Sequence, residues 1–125
     1  MYRHLNPNPT GKQNNDCLVR TLAIVFEIPW EKALMDLTQY AMLIYSMPNN
    51  DDTLSLYLKE KGFKREIIPN TCPACYTVKD FCMDHPEGTF IVLTSGHAIP
   101  VIDGYYYDAT DSGNDIPMYY WEKER

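Results

Sequence analysis

Apolar residues recur at helical spacing over the first half of the chain and at strand spacing over the second. Leu18, Leu22, Val25 and Phe26 make one stripe over residues 16–27, and Val19 and Ala23 widen it. Ile24 adds apolar character on another side, so this helix reads as central rather than peripheral. Asn15 or Asp16 is placed to cap it. Ile28-Pro29-Trp30 breaks the stripe, and Ala33, Leu34, Leu37, Tyr40, Ala41 and Ile44 restart it in a second helix. After the loop Met47-Pro48-Asn49-Asn50, Asp51 or Asp52 caps a third helix through Leu54, Tyr57 and Leu58, with Gly62 as its stop.

Residues 63–68 predict a short strand ended by Pro69, and residues 69–76 a loop. Thr77 caps a fourth helix over 78–85, which Pro86 and Gly88 end. From Thr89 the period changes to two. Strands are expected over 89–94, 97–102 and 105–109, with a last one over 118–121. Asp103-Gly104 is a strong signal for a two-residue hairpin turn. Residues 1–14, rich in Asn, Pro, Gly and Gln, read as an irregular arm. N-terminal helices followed by a C-terminal antiparallel sheet make an α+β layout, and 125 residues make one domain.

A net charge of −6, with the 11 basic residues scattered, argues against binding a nucleic-acid backbone. The N-terminus has no apolar signal core, and no apolar run approaches a membrane span. The expectation is therefore a cytoplasmic protein without membrane association, whose four cysteines are thiols rather than disulfides.

One of those thiols stands apart. Cys17 begins the apolar helix, directly after Asn14-Asn15-Asp16, and a helix N-terminus favours a thiolate. Ser95-Gly96-His97 starts one later strand and Tyr107-Asp108 lies in the next. A cysteine at a helix start, a distant histidine and a carboxylate are the parts of an activated thiol nucleophile. The hairpin makes the pairing testable. With Asp103-Gly104 as the turn, Ile102 faces Tyr105, Val101 faces Tyr106 and Ile99 faces Asp108. His97 and Asp108 then project from one face as diagonal neighbours, about 7–8 Å apart at the backbone. A three-residue turn would bring Asp111 onto that face instead. In such a site Cys17 attacks a carbonyl carbon, His97 moves the protons and Asp108 orients the ring. The backbone N–H of Cys17 and the side-chain amide of Gln13 are candidate donors to the oxyanion. The chemistry requires no cofactor.

The segments DCLVRTLA and GHAIPVIDGYYYDATDS, in this order, resemble the papain-like cysteine peptidase superfamily. The likeness is strongest to its small bacterial and phage members, similar to bacteriocin-processing and cell-wall amidase domains. It spans residues 11–121. It implies a papain-like fold with the cysteine on a central helix, hydrolysis or transfer at an amide or peptide bond, and a peptide or protein substrate. It also implies Cys17 as nucleophile, His97 as base, Asp108 as orienting residue and Gln13 in the oxyanion hole. Gln13 stands closer to the cysteine than the family's glutamine does, which leaves Asn14 and Asn15 as alternatives.

Other readings compete. The same fold can serve as a non-catalytic peptide-binding module, or run a transglutaminase-type acyl transfer with the same triad. Cys72 and Cys75, spaced as in a zinc knuckle, with Cys82 and His85 on one helix face, could close a tetrahedral zinc site in a small adaptor. The second pair follows the first more closely than is usual in zinc modules. Tyr105, Tyr106, Tyr107, Tyr119 and Tyr120 fit a sheet surface and core better than a platform for bases. Arg20, on the helix side of Cys17, is suited to pairing with Asp16.

Overall fold

The structure, a computed structural model, describes residues 1–123 as an α+β fold of four helices and a six-stranded mixed sheet. In chain order these are β1 (Tyr2–His4), α1 (Cys17–Val25), α2 (Trp30–Leu43), α3 (Asp51–Glu60), β2 (Phe63–Ile67), α4 (Val78–Asp84), β3 (Thr89–Thr94), β4 (His97–Ile102), β5 (Tyr105–Asp108) and β6 (Tyr119–Lys123). The strand order is β1-β5-β4-β3-β6-β2. Among the described residues no helix is long and apolar enough to cross a membrane.

The sheet is covered on both faces. Ile91, Leu93, Ala98 and Trp121 point toward Leu18, Leu22, Leu37, Leu54 and Leu58 of α1, α2 and α3. Phe90, Val92, Ile99, Val101 and Tyr106 point toward Val78, Phe81 and Cys82 of α4. That two-sided burial makes residues 90–93 an unbroken apolar run, not the period of two expected from Thr89 onward. Thr77 caps α4 in a reciprocal box with Asp80.

Three features differ from the sequence expectation. The arm is not wholly irregular: β1 pairs in parallel with β5, aligning Tyr2, Arg3 and His4 with Tyr106, Tyr107 and Asp108. Three residues are too few to display a period, and the sheet is accordingly mixed rather than antiparallel. The last strand begins at Tyr119, runs on to Lys123, and inserts between β3 and β2, a non-local pairing that sequence spacing does not encode. Finally, Asn50 rather than Asp51 or Asp52 occupies the N-cap of α3, and neither Asn50 nor the α1 cap Asp16 makes a side-chain capping bond.

The Asp103-Gly104 turn has positive φ at both residues, +51° and +81°, as a two-residue hairpin with matching twist requires. Val101 pairs with Tyr106 and Ile102 with Tyr105, and there the β4–β5 ladder stops. The antiparallel register of β3 with β4 directs the backbone groups of Ala98, Pro100 and Ile102 toward the β5 side. Pro100 has no N–H to give, so the ladder cannot continue past it. β5 leaves β4 and takes β1 as its neighbour. The vacated edge of β4 is met by α1: Thr21 Oγ1 donates to the Ala98 carbonyl at 3.2 Å, and the Ala98 backbone helps lower the Cys17 thiol pKa.

The loop after β5 is held equally closely. Asp111 accepts from the Tyr106 hydroxyl (2.6 Å) and from the Gly113 N–H (2.9 Å). The Gly113 and Asp115 carbonyls accept the first free N–H groups of α4, from Lys79 and Val78. A Cβ on Gly113 would lie 2.7 Å from Lys79 Cε and closer still to the Tyr106 hydroxyl. Gly113→Ala is therefore expected to destabilise the protein by roughly 1–3 kcal/mol, read as a lowered urea midpoint at unchanged slope. A midpoint equal to the parent's would show that the loop yields freely.

Candidate active site

Cys17 opens α1 half-buried, and it is the sulfur of this residue that meets His97. His97 begins β4 and Asp108 ends β5. They share the pleat side of Ile99 and Tyr106 and converge where the two strands part. His97 Nε2 lies 2.6 Å from Asp108 Oδ2. With Nε2 so engaged, Nδ1 is the ring nitrogen left to face the Cys17 sulfur, whose interaction with the ring shifts both ionisations. The three groups form one chain: sulfur, imidazole, carboxylate.

Each link shifts an ionisation. For Cys17, burial opposes the thiolate. The His97 hydrogen bond, the Ala98 backbone and the charges of His97 and Arg20 outweigh it and lower the pKa. For His97, the bond to Asp108 and then the bond to Cys17 overcome burial and raise the pKa to about 10. For Asp108, burial is outweighed by His97, the Ser112 hydroxyl and the Ala109 N–H, so the carboxyl stays ionised. The directions both favour a thiolate–imidazolium pair.

Behind the triad lies a second, buried set of charges. Arg20 pairs with Asp16 at 2.9 Å and reaches within 4.0 Å of Asp108 Oδ1. Asp16 also accepts from Trp30 Nε1 (2.9 Å), Asn8 Nδ2 (3.2 Å) and the Asn14 N–H (3.2 Å). Burial works against its ionisation, but these donors and Arg20 lower its pKa. Asp16 is thus spent on neighbours and caps nothing. The N–H groups of Cys17, Leu18 and Val19, ahead of the first helical bond from Arg20 to Asp16, stay without a helical partner. A small cavity of about 10 Å³ separates Cys17, Arg20 and Thr21 from Asp108.

Other sequence candidates lie elsewhere. Gln13 is exposed and its side chain makes no hydrogen bond among the described residues. Asp111, the alternative third member, faces Tyr106 and Gly113, not His97. Cys72 and Cys75 are joined in a disulfide, which corrects the expectation of four free thiols. The turn that joins them is held by Thr71, which accepts the Tyr76 N–H and donates to the Ala74 carbonyl, and their Cα atoms are 4.1 Å apart. Cys82 is buried beneath the sheet, which raises its thiol pKa, and His85 stacks on Phe81 at 3.9 Å. The proposed zinc quartet therefore does not assemble, and no group of three metal-ligating side chains occurs among the described residues.

Sequence reasoning missed Ser112, which donates to Asp108 Oδ2 at 2.7 Å, and the wider role of Asp16. Ser112 follows Asp108 by four residues within a quoted motif, but no periodicity places its hydroxyl. Compared with known proteins, the chain matches no family model, no curated protein and no solved structure.

Iodoacetamide is expected to alkylate Cys17 well before Cys82, at a rate already high near pH 6. In His97→Ala the rate should rise only toward the ordinary thiol value of about 8.5. Site-resolved mass spectrometry over pH 5–9 checks both, and equal labelling of the two thiols would refute the ionised pair. Stability should respond to acid as well. Asp16 and Asp108 have lowered pKa values, so their contribution is complete above the unfolded value of 3.8 and is lost as pH falls through their folded values. The urea midpoint should drop steeply below that pH, and less steeply in Asp108→Asn.

Proposed function

We propose that this chain is a cysteine-dependent hydrolase of an amide or peptide bond, built on a papain-like arrangement of central helix and sheet. The observation that carries the reading is the 2.6 Å bond from His97 Nε2 to Asp108, on a ring close enough to the Cys17 sulfur to lower its pKa. The Cys17 thiolate attacks the carbonyl carbon and the C=O electrons move onto oxygen. The free N–H of Cys17 at the start of α1 is the natural donor to that oxyanion, and the helix dipole adds to it. Asp16, diverted to Arg20 and Trp30, leaves the neighbouring N–H groups of Leu18 and Val19 uncapped as well.

As the tetrahedral intermediate collapses, the imidazolium proton passes from Nδ1 to the departing nitrogen and a thioester remains. Water then attacks the thioester while His97 takes its proton, and the acid and free thiol are released. Asp108 holds the ring orientation and stabilises its cationic form throughout. Ser112, Ala109 and Arg20 keep that carboxylate ionised and fixed. Arg20 is a positioning residue: it touches Asp16 and Asp108 rather than a reacting atom. The substrate this supports is a peptide or protein.

Incubation with p-nitrophenyl acetate at pH 7 tests the reading. Nitrophenol should be released with turnover, with a transient acetyl group on Cys17 found by mass spectrometry. Cys17→Ala should abolish the acetyl adduct, and His97→Ala should slow turnover roughly 10²–10⁴-fold. Release at the same rate from the parent and from both variants would overturn it, and a Cys17 adduct that never turns over would favour a binding module.

A further inference from the structure

Helix α2 is apolar on two opposite sides. Ala33, Leu37 and Ala41 are buried on its inner side, which packs against α1 and α3. On its outer side Lys32, Met35, Gln39, Met42 and Leu43 are all exposed. The spacing 32, 35, 39, 42 is that of a heptad seam, with methionine at one core position and Lys32 or Gln39 at the other. Met42 is 64% exposed and Leu43 71%. Past the helix end Tyr45 stands at φ +54°, where glycine is the unstrained choice, and is 98% exposed. An outer helix face is ordinarily polar. We propose that this stripe is the interface of a two-fold dimer, in which α2 packs antiparallel on the α2 of a second copy. The inference stands apart from the hydrolase reading, because no residue of the stripe lines the crevice at Cys17.

The face is large enough. Met35, Met42, Leu43, Ile44 and Tyr45 expose on the order of 700 Å² between them, close to the roughly 800 Å² that each partner gives to an interface of standard size. Lys32 and Gln39 add to it. The largest apolar patch on an ordinary monomer is smaller, roughly 300–600 Å².

Self-complementarity makes the occupant a second copy. A two-fold axis between residues 38 and 39 sets Met35 of each copy against Met42 of the other, and Gln39 beside its own counterpart. Unbranched methionine side chains adapt to one another across such a seam. A glutamine amide both donates and accepts, so the two copies of Gln39 can satisfy each other. The same axis brings Lys32 to the Ile44-Tyr45 end of the facing helix. That end has no basic residue in its last turn, and an ammonium there suits the free carbonyls of the helix and the face of the Tyr45 ring. Within its own chain Lys32 holds Asp36 at 2.7 Å, an exposed pair that costs little to share. Two chains of net charge −6 repel, but the stripe itself carries no acidic residue. Charges farther off are screened beyond about 8 Å at physiological ionic strength.

Sedimentation equilibrium of the full chain, from micromolar to millimolar concentration, tests the inference. The mass should rise from 14.5 kDa to twice that value and stop, and added salt should strengthen the dimer by screening the net charge. Met42→Lys should weaken association at least about tenfold, even though it reduces the repulsion between copies. Leu43→Lys serves the same purpose should Met42→Lys lose its far-UV circular dichroism. The register has its own readout, in a Cys17→Ala background that removes the reactive thiol. Gln39→Cys, beside the axis, should form a disulfide-linked dimer under mild oxidation. Glu31→Cys, about 22 Å from its counterpart along the axis, should not. A chain that stays at 14.5 kDa up to millimolar concentration overturns the inference. So does a dimer that neither lysine substitution weakens, a mass that climbs past twice the chain's, or cross-linking through Glu31→Cys in place of Gln39→Cys.

Discussion

Between Ala98 and Pro100, β4 exchanges a strand neighbour for a helix. Pro100 offers no N–H toward β5, the ladder ends at Val101–Tyr106, and the Ala98 carbonyl turns to Thr21 of α1 instead. A buried backbone group must find a partner, so this edge constrains where α1 lies. The same parting of strands opens the space in which His97 and Asp108 meet. Were the ladder to run on, the Ala98 carbonyl would bond to β5 and Thr21 of α1 would lose its acceptor.

A buried guanidinium ties this edge to the rest of the protein. Arg20 stands between Asp16 and Asp108, with each of the three nearly withdrawn from solvent. Removing any one would leave the others uncompensated in a low-dielectric interior, which is far more costly than never burying them. Asp16 is in turn bound by Asn8 from the arm and Trp30 from α2. The position of the arm, α1, α2 and the end of β5 is thereby coupled to the charge state of one side-chain chain. Such a network adds less to net stability than its bond count suggests; what it supplies is geometry, a histidine held against a carboxylate that stays ionised.

Much of this was legible from residues alone. The stripe Leu18, Leu22, Val25 and Phe26 identified a central helix, and α1 does pack under the sheet. Asp103-Gly104 implied a tight turn, hence the parity that sets Asp108 rather than Asp111 beside His97. Other features were hidden for physical reasons. The strand Tyr2–His4 is too short to show alternation and exists only because β5 has a free edge. The spacing of Cys72 and Cys75 read as free thiols or a zinc knuckle, whereas the turn around Thr71 brings them together as a disulfide. Gln13 carries an amide of the right type, but the loop leaves it in solvent.

By itself, the sequence determined the local quantities: which segments coil, which extend, where the turn falls, and which end of a helix carries the thiol. Each of these depends on side-chain periodicity and backbone preference over a few residues. Tertiary structure alone decided the partners: β6 beside β3, α1 on the vacated edge of β4, Arg20 between two carboxylates, and Ser112 on Asp108. Those contacts join residues distant in the chain, and their energy depends on burial and direction, which exist only once the layers have closed.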